Sequence, residues 1–341
     1  MNTMIPTVLR IDIEPDDHLA VPTTLWNGFV ELHKIVDELR KQLSEINGSP
    51  FRPTWMVRLD PEIERCFGQG DFAIRKYPKI FDSIREKGDF LGIHVHAHRW
   101  DDANRTVYSD YADNDWVSNC LLTSVEIYKD CFGEAVKRAS QGGYFLTEEL
   151  VNLSIACGIE VDLTLEPGLK ALTSDISFGT YSTAASPDYF ESPRHPYFPH
   201  KKDYMKQAMS AEQARPLLLL PLTSFSYHHH LKSPILKLKD RLLRKPRPYL
   251  PLSMWKEWPS PKQYWDMAAL AAERKEAGYL SFAIRTDGTN SVTHQRVREL
   301  LLFLPQHPIA KRLLFVDPAG EAIRALARGN LGGQKSNQLQ S

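Results

Sequence analysis

Short apolar runs alternate along this chain with longer segments in which apolar residues recur at helical spacing. Runs with the length and composition of buried strands cover residues 8–13, 54–59, 90–95, 136–140, 161–165, 217–223, 280–285 and 313–316. Helix-like segments between them cover residues 25–43, 72–87, 115–132, 147–157, 261–277 and 292–304. A strand that is buried on both faces is apolar throughout, as at residues 217–220, and this is typical of parallel sheets. The pattern predicts an α/β fold, a distorted (β/α) barrel of 7–8 parallel strands, and favours it over an open doubly wound sheet.

Two internal stretches and the C-terminal end depart from this alternation. Residues 174–215 are rich in Ser, Pro, Tyr and Phe and have little periodicity, which predicts a long functional loop over the barrel mouth. Residues 228–258 form a second predicted insertion. The last residues, 329–341, are rich in Gly, Gln, Ser and Asn and predict a disordered tail. We therefore expect one barrel domain over residues 1–328.

The composition is that of an ordinary globular protein, with 42% hydrophobic and 25% charged residues. Lys plus Arg equals Asp plus Glu, at 42 each, so no overall attraction to nucleic acid is indicated. The four cysteines form no CxxC pair, which argues against a thiolate zinc site and fits a reducing compartment. The N-terminus has no signal-peptide pattern, and no apolar run could span a bilayer. These features predict a cytoplasmic protein and leave its oligomeric state open.

Candidate chemistry lies where two predicted strands end. Asp12 and Glu14 end the first strand and share one face of it, because side chains alternate along a strand. His94, His96 and His98 end the strand at residues 90–95. If the strand continues, all three imidazoles share a face; if the chain turns helically, His94 and His98 pair and His96 points elsewhere. Two imidazoles and a carboxylate would form a metal site with room for water and substrate, whereas a single histidine there would be structural.

The order of these motifs resembles that of the polysaccharide deacetylases with a NodB-homology domain, a carbohydrate esterase superfamily. In that family a carboxylate pair is followed by His-x-x-x-His and then by Arg with Gly four residues on. The matching residues here are Asp12 and Glu14, then His94 and His98, then Arg138 and Gly142. The resemblance covers residues 8–168 well and 217–287 loosely. It implies a barrel of the glycoside hydrolase/deacetylase type and a metal-dependent hydrolase of polysaccharide or cell-envelope carbohydrate metabolism.

The resemblance also implies a role for each matched residue. Asp12 would be the general base, and Glu14, His94 and His98 would bind a divalent metal, zinc by preference. Arg138 would orient Asp12, since an adjacent cation keeps a carboxylate ionised; a surface ion pair is the alternative for this arginine. The family's carboxylates are adjacent Asp residues, whereas one residue separates them here, so the base and the ligand could exchange roles.

The chain departs from the family in its late motif, where the family supplies a histidine that protonates the departing amine. The matching strand, residues 280–285, has no histidine at its end. His195, His228 and His294 are substitutes if folding brings them near. Candidate substrate-binding or supporting residues are Arg58, Asp60, His96, Tyr144, His195, Arg285 and Asp287.

Residues 232–247 carry seven basic side chains against one acidic side chain, interleaved with apolar residues. Such a segment can lie on an anionic membrane surface, although an ordinary surface helix is the favoured interpretation. The leading hypothesis is a hydrolase that removes an N-acyl group, acetyl by preference, from a carbohydrate substrate. The alternatives are a glycan-binding barrel without catalysis and a metal-independent C–N hydrolase of the same superfamily, whose activity would survive chelation.

Overall fold

The computed structural model describes residues 3–17, 24–172, 181–226, 249–251, 254, 260–273, 278–287 and 292–331. Its strands are β1 (Ile5–Ile13), β2 (Thr54–Arg58), β3 (Phe90–Val95), β4 (His98–Asp101), β5 (Thr106–Ser109), β6 (Arg138–Gln141), β7 (Val161–Asp162), β8 (Tyr181–Ser182), β9 (Pro199–His200), β10 (Asp203–Gln207), β11 (Leu218–Leu219), β12 (Ser224–Ser226), β13 (Tyr249–Pro251), β14 (Leu280–Arg285) and β15 (Leu313–Phe315). Its α-helices are α1 (Asn27–Asn47), α2 (Pro61–Phe67), α3 (Phe72–Lys76), α4 (Pro78–Glu86), α5 (Asn114–Phe132), α6 (Glu148–Ala156), α7 (Pro261–Glu273), α8 (Val292–Phe303) and α9 (Glu321–Gly329).

The main sheet has the strand order β11-β7-β6-β3-β2-β1-β14, and β15 pairs with the first residues of β1. Every pairing in this sheet is parallel. The carboxyl ends of all these strands therefore lie at one end of the molecule. Helices connect the strands and pack outside them, and α1 buries one face through residues at helical spacing, among them Phe29, Leu32, Val36 and Leu39.

The sheet curves into a ring that the segment after β11 closes. Leu220 N donates to Asp162 O at 2.9 Å, and Leu222 N donates to Leu165 O at 2.9 Å. At the next residue the same segment reaches β14, where Thr223 N donates to Ser281 O at 3.1 Å. The fold is therefore the distorted (β/α) barrel that the sequence predicted, with an irregular closing segment between β7 and β14.

The predicted elements differ from the observed ones in a few places. Residues 72–87 form two helices, because Pro78 disfavours helical geometry at Tyr77 (φ −126°, ψ 48°) and separates α3 from α4. The short helix α2 was not predicted; Pro61 begins it, and Gly68 with φ 79° ends it. The hairpin of β4 and β5 was also missed, and β8 pairs with it.

The described part of the predicted loop at 174–215 contains β8 and the antiparallel pair of β9 and β10. The basic segment at 232–247, His228 and residues 332–341 of the predicted tail lie outside the described residues. No helix in the described ranges has the length and apolar content needed to cross a bilayer. All four cysteines are free thiols.

Candidate metal centre

The polar residues that end β1 and β3 lie close together inside the barrel. The backbones of these strands are two positions apart in the sheet, with β2 between them. Asp12 lies on β1 and Glu14 directly follows that strand, while His94 lies on β3, His96 directly follows it, and His98 begins β4. All five side chains are buried, with at most 4% of each residue exposed. The two sequence motifs therefore meet at the carboxyl end of the barrel, where parallel barrels carry their chemistry.

One carboxylate and two imidazoles form a compact group of metal-ligating atoms. Glu14, His94 and His96 each place one such atom within 4.8 Å of the others. The two Nε2 atoms are 2.9 Å apart, His94 Nε2 is 3.5 Å from Glu14 Oε1, and His96 Nε2 is 3.6 Å from Glu14 Oε2. Two ligands of one tetrahedral zinc ion are about 3.3 Å apart, since each lies about 2.0 Å from the metal. The group therefore fits a His₂-carboxylate site for a divalent cation.

The conformation of the chain after β3 decides which histidines meet. Residues 94–98 make no helical turn, and β4 begins at His98. The rings of His96 and His98 are 4.4 Å apart between centroids, and His98 Nδ1 lies 3.1 Å from Ser109 Oγ. His96 therefore occupies the position beside Glu14 and His94 that the resemblance gave to His98. His98 lines the same pocket outside the group of three.

Asp12 is held by an arginine of its own strand. Arg10 Nη2 lies 3.1 Å from Asp12 Oδ2, and Arg10 Nη1 donates to the backbone carbonyl of Leu163. On its other side, Asp12 Oδ1 accepts a long hydrogen bond from Ser140 Oγ at 3.5 Å and lies 3.8 Å from His94 Nδ1. Asp12 therefore lies between a guanidinium group and a histidine of the candidate metal group.

Arg138, which the resemblance assigned to Asp12, lies elsewhere. It begins β6 and so lies at the opposite, amino end of a strand whose carboxyl end faces the pocket. Its Nε donates to Asp317 Oδ1 at 2.8 Å, and its guanidinium group lies 5.2 Å from the Phe90 ring centroid. The prediction that Arg138 orients Asp12 is therefore wrong in this structure. Arg10 takes that place, and the sequence signal for it was its position two residues before Asp12 on the same face of β1.

A second arginine, Arg58, joins several buried carboxylates. Arg58 donates to Asp60 at 2.8 Å and to Glu62 at 2.6 Å, and its Nη1 lies 3.8 Å from Glu14 Oε2. Asp60 also accepts from the backbone N–H of His96 at 3.3 Å. Arg58 therefore contacts the carboxylate of the candidate metal group, and Asp60 fixes the backbone at His96. The sequence had placed both residues at a strand end and had not identified Glu62.

A third arginine, Arg285, reaches the same carboxylate from β14. Its Nε lies 3.1 Å from Glu14 Oε1 and 3.0 Å from Asp287 Oδ1. Burial raises the pKa of Asp287 to about 6, although the charge of Arg285 acts in the opposite direction. Arg285 lines the pocket, and its guanidinium group forms an ion pair with Asp287.

The charges of this buried network favour a bound cation. Three guanidinium groups face five carboxylates, and these residues are Arg10, Arg58 and Arg285 with Asp12, Glu14, Asp60, Glu62 and Asp287. Burial and the charge of Arg58 lower the pKa of His96 well below its usual range and lower that of His98 to about 3, so these rings are neutral at pH 7. Neutral imidazoles are the form that binds metal, and a divalent ion would balance the two excess negative charges.

The carboxylate of Glu14 is ionised despite its burial. Desolvation alone would raise its pKa, but the charge of Arg285, a hydrogen bond with His94 and the His96 ring together lower the pKa of Glu14 well below its usual range. An ionised carboxylate beside two imidazoles is the ligand set of many catalytic zinc sites. The ionised carboxylate of Glu14 and the spacing of the three ligating atoms therefore both fit a site for a divalent metal.

The opposite wall of the pocket is a tight turn after β6. Gly142 contacts the His96 ring so closely that a Cβ atom there would overlap it, and Tyr111 Oη donates to the Gly142 carbonyl at 2.9 Å. Gly143 and Tyr144 both have positive φ, 59° and 57°. A tyrosine in this region is uncommon and marks local strain, which is often found beside functional sites. The pocket leaves a volume of about 30 Å³ for water-sized groups, which is room for an ion with one or two waters.

The histidines considered for proton donation lie elsewhere or are not described. His195 Nε2 lies 2.7 Å from Gln207 Oε1, and the Gln207 amide donates to the carbonyl of Asn330 near the end of α9. His195 is not among the described residues that line the pocket. His228 lies outside the described residues, as does the side chain of His294. The residues that sequence reasoning missed are Arg10, Glu62, Ser109, Tyr111 and Ser140.

No family model matches the sequence, and no curated protein matches it either. Several solved structures have a fold similar to that of this chain. One is from a protein of Parabacteroides distasonis assigned as a glycoside hydrolase/deacetylase, with a TM-score of 0.55 and 10% identity over 92% of this chain and 70% of that chain. Two others are assigned as polysaccharide deacetylases. That of Mycobacterium smegmatis has a TM-score of 0.47 and 13% identity over 95% of this chain and 92% of that chain. That of Pseudomonas aeruginosa has a TM-score of 0.48 and 13% identity over 96% of this chain and 91% of that chain. At such identities the likeness concerns the fold, and this chain has the (β/α)-barrel fold of the Parabacteroides distasonis glycoside hydrolase/deacetylase.

Proposed function

We propose that this protein is a metal-dependent hydrolase that removes an N-acyl group, acetyl by preference, from a sugar or glycan. The observation that carries the proposal is the convergence of Glu14, His94 and His96, whose ligating atoms have the mutual separations of three ligands on one metal ion. Zinc is the preferred ion, because two imidazoles and a carboxylate leave a coordination position open for catalysis.

The remaining pocket residues supply the acid–base chemistry. A divalent ion held by Glu14, His94 and His96 would polarise the acyl carbonyl and acidify the attacking water. Asp12 lines the same pocket and accepts the proton of that water as general base. Arg10 holds Asp12 Oδ2, so that Oδ1 remains directed toward Ser140 and His94.

Proton delivery to the departing amine falls to Asp12 as well. His98 is a poor donor at neutral pH, because burial and Arg58 lower its pKa to about 3. Asp12, protonated in the first step, can return that proton when the C–N bond breaks. One carboxyl group would then serve as base and acid in turn, with water providing the oxygen and the hydrogen that the two products gain.

A second candidate function is a glycan-binding barrel without turnover, and one contact favours it. Arg285 Nε lies 3.1 Å from Glu14 Oε1, so a guanidinium group already contacts the carboxylate that a metal would need. A metal could share Glu14 with Arg285 through the other oxygen. If it does not, the pocket keeps its shape and lacks the ion that activates water.

The test combines metal analysis with acetate release. Purified wild type, His94→Ala, His96→Ala and His98→Ala are analysed by elemental mass spectrometry and assayed on N-acetylated sugars, before and after chelation and zinc addition. We expect about one divalent ion per wild-type chain, loss of the ion in His94→Ala and His96→Ala, and its retention in His98→Ala. Chelation should abolish acetate release, and zinc should restore it.

Each other outcome has a defined meaning. Full metal content in both His94→Ala and His96→Ala would show that these are not ligands. Sugar binding without acetate release from any substrate would favour the second candidate function. Activity that survives complete removal of metal would indicate metal-independent C–N hydrolysis by the same barrel.

A further inference from the structure

Beside Glu14 the pairing of β1 with β14 passes from the backbone to a side chain. Thr286 N donates to Asp12 O at 3.0 Å, one residue beyond the register position at which Asp12 lies opposite Arg285. At Glu14 the Thr286 hydroxyl continues the pairing. It accepts a hydrogen bond from Glu14 N at 2.7 Å and donates one to Glu14 O at 2.8 Å. One hydroxyl group therefore binds both backbone polar groups of a candidate metal ligand.

These two hydrogen bonds limit the positions that Glu14 can adopt. Both Thr286 and Glu14 are buried, so water does not compete for the bonds. Pro15 follows Glu14 and disfavours helical geometry there, which favours an extended backbone. In extended backbone the direction of the side chain follows from the positions of the backbone N–H and C=O groups. Thr286 therefore fixes the point from which the Glu14 carboxylate reaches the two imidazoles.

Thr286 is itself held on its other side by the start of α1. Gly28 packs against the Thr286 carbonyl oxygen so closely that a Cβ atom at Gly28 would overlap it. Asp16, two residues after Glu14, accepts hydrogen bonds from the backbone N–H groups of Asn27 and Gly28 at 2.9 and 2.8 Å. The end of β1 thus binds α1, and α1 packs on Thr286. These contacts hold both partners of the contact between Thr286 and Glu14.

We propose that Thr286 is a positioning residue of the metal site, which fixes Glu14 through its backbone and thereby determines how tightly the site binds a divalent ion. The inference rests on the proposed function in one point, that Glu14 is a metal ligand. Thr286 is not among the described residues that line the pocket, so it acts through Glu14. Residues that orient a ligand in this way change metal affinity without supplying a ligand atom.

Thr223 offers a matched control, because it makes similar contacts to the same strand. Its hydroxyl accepts a hydrogen bond from Ser281 N at 2.8 Å, and its own N–H donates to Ser281 O at 3.1 Å. Thr223 is buried as well, but Ser281 lies near the amino end of β14, four residues before Arg285. Loss of the Thr223 hydroxyl should therefore reduce stability, as loss of the Thr286 hydroxyl does, without moving a metal ligand.

The experiment measures zinc affinity by competition with a chromogenic chelator in wild type, Thr286→Val, Thr286→Ser and Thr223→Val. Thr286→Val keeps the shape of the side chain and removes the hydroxyl, so zinc affinity should fall about tenfold to hundredfold. Thr286→Ser keeps the hydroxyl and should bind zinc nearly as tightly as wild type. Thr223→Val should bind zinc as tightly as wild type, although urea denaturation without zinc should show that both valine variants are less stable.

Two results would overturn the inference. One is a zinc affinity of Thr286→Val equal to that of wild type. The other is an equal loss of affinity in Thr286→Val and Thr223→Val, which would reflect a general loosening of the barrel. If Thr286→Val does not fold, Thr286→Ala takes its place, because its smaller side chain cannot clash with α1. Wild-type zinc affinity in that variant would overturn the inference in the same way.

Failure of this inference is distinguishable from failure of the proposed function. A protein that releases acetate, and whose zinc affinity does not depend on Thr286, is a hydrolase without this positioning residue. Loss of zinc affinity in Thr286→Val but not in Thr223→Val, together with no acetate release from any sugar by wild type, supports the positioning role and rejects the hydrolase. A wild-type protein that binds no divalent ion overturns both.

Discussion

Arg10 Nη2 lies 3.1 Å from Asp12 Oδ2, so the guanidinium group that contacts the candidate base comes from the same strand, two residues earlier. Both side chains face the barrel interior because side chains alternate along β1. Arg10 is itself fixed by a hydrogen bond to the carbonyl of Leu163, which follows β7. A carboxylate with a fixed cationic partner keeps one orientation, as a general base requires.

We therefore expect Arg10→Gln to lower kcat/KM about tenfold to hundredfold, because Asp12 loses the group that orients it. The metal content should stay at the wild-type value, since Arg10 makes no contact with Glu14, His94 or His96 in the described structure. Steady-state kinetics and elemental analysis of the same preparation measure both quantities.

Arg138→Gln is the matched control, because Arg138 pairs with Asp317 at the amino end of β6. It should reduce the free energy of unfolding and leave kcat/KM of the folded protein unchanged. The assignment of Arg10 is wrong if Arg138→Gln impairs kcat/KM more than Arg10→Gln does.

The absence of a side chain at Gly142 makes room for His96. A Cβ atom there would overlap the imidazole ring, and the neighbouring atoms are ring atoms that cannot bend away. Gly142→Ala should therefore displace His96, weaken zinc binding at least about tenfold and leave the barrel folded. Competition with a chromogenic chelator measures the zinc affinity.

Gly329→Ala serves as the control, because a Cβ atom at Gly329 has no neighbour within 4 Å and the backbone there is not in the left-handed region. Zinc affinity equal to wild type in Gly142→Ala would show that His96 is not a ligand or that its position is not fixed by the turn after β6.

The sequence was sufficient to predict which strand ends carry this site. It was not sufficient to predict which histidine and which arginine at those ends take part in it. Continuous apolar runs identify buried parallel strands, and polar residues at their carboxyl ends in a barrel face the same pocket. The choice between His96 and His98 depends on whether residues 94–98 stay extended, which local propensity does not decide. Arg138 matched a family spacing, but its position at the amino end of β6 depends on where that strand begins.

The elements that sequence reasoning missed are those whose stability comes from tertiary contacts. The β4–β5 hairpin has few apolar residues. It is held by ion pairs such as Arg99 with Asp110, and by the packing of Arg65 on the Trp100 ring and of Arg99 on the Trp116 ring of α5. The apolar run at 217–223 predicts one long strand, yet this closing segment pairs first with β7 and then with β14. Contacts between segments far apart in the sequence determine both features, and the spacing of apolar residues along the chain does not predict such contacts.

Among the described residues, Arg58 is the buried cation that contacts the most carboxylates. It contacts Asp60 at 2.8 Å and Glu62 at 2.6 Å, and it lies 3.8 Å from Glu14. Removal of one partner from a buried ion network leaves unpaired charges, so Arg58→Met should lower the free energy of unfolding by about 3–5 kcal/mol. Chemical denaturation monitored by tryptophan fluorescence measures this change.

The comparison variant is Arg75→Ala, which breaks an exposed i,i+4 pair with Asp71 and should cost less than about 1 kcal/mol. A loss in Arg58→Met as small as that in Arg75→Ala would show that the carboxylates around Arg58 are neutral or hydrated in the folded protein.

Asp162 makes the stability of the barrel depend on pH. Its side chain is fully buried on β7, and Oδ1 accepts a hydrogen bond from Thr164 N at 2.8 Å. Burial raises the pKa of Asp162 to about 6, whereas an unfolded aspartate has a pKa of about 3.9. The folded protein therefore binds this proton more tightly than the unfolded chain. The resulting stabilisation is fully present below about pH 4 and is lost as the pH rises through about 6, and it amounts to about 3 kcal/mol.

Asp162→Asn removes this titration, because an amide is neutral at every pH and its oxygen can still accept from Thr164 N. The free energy of unfolding of the variant minus that of wild type should increase by about 2 kcal/mol between pH 4 and pH 7, with most of the change between pH 4 and 6. Urea denaturation of both proteins in matched buffers measures the difference at each pH. A difference that stays constant across this range would mean that Asp162 keeps an ordinary pKa, through hydration or through its charge interaction with Arg10.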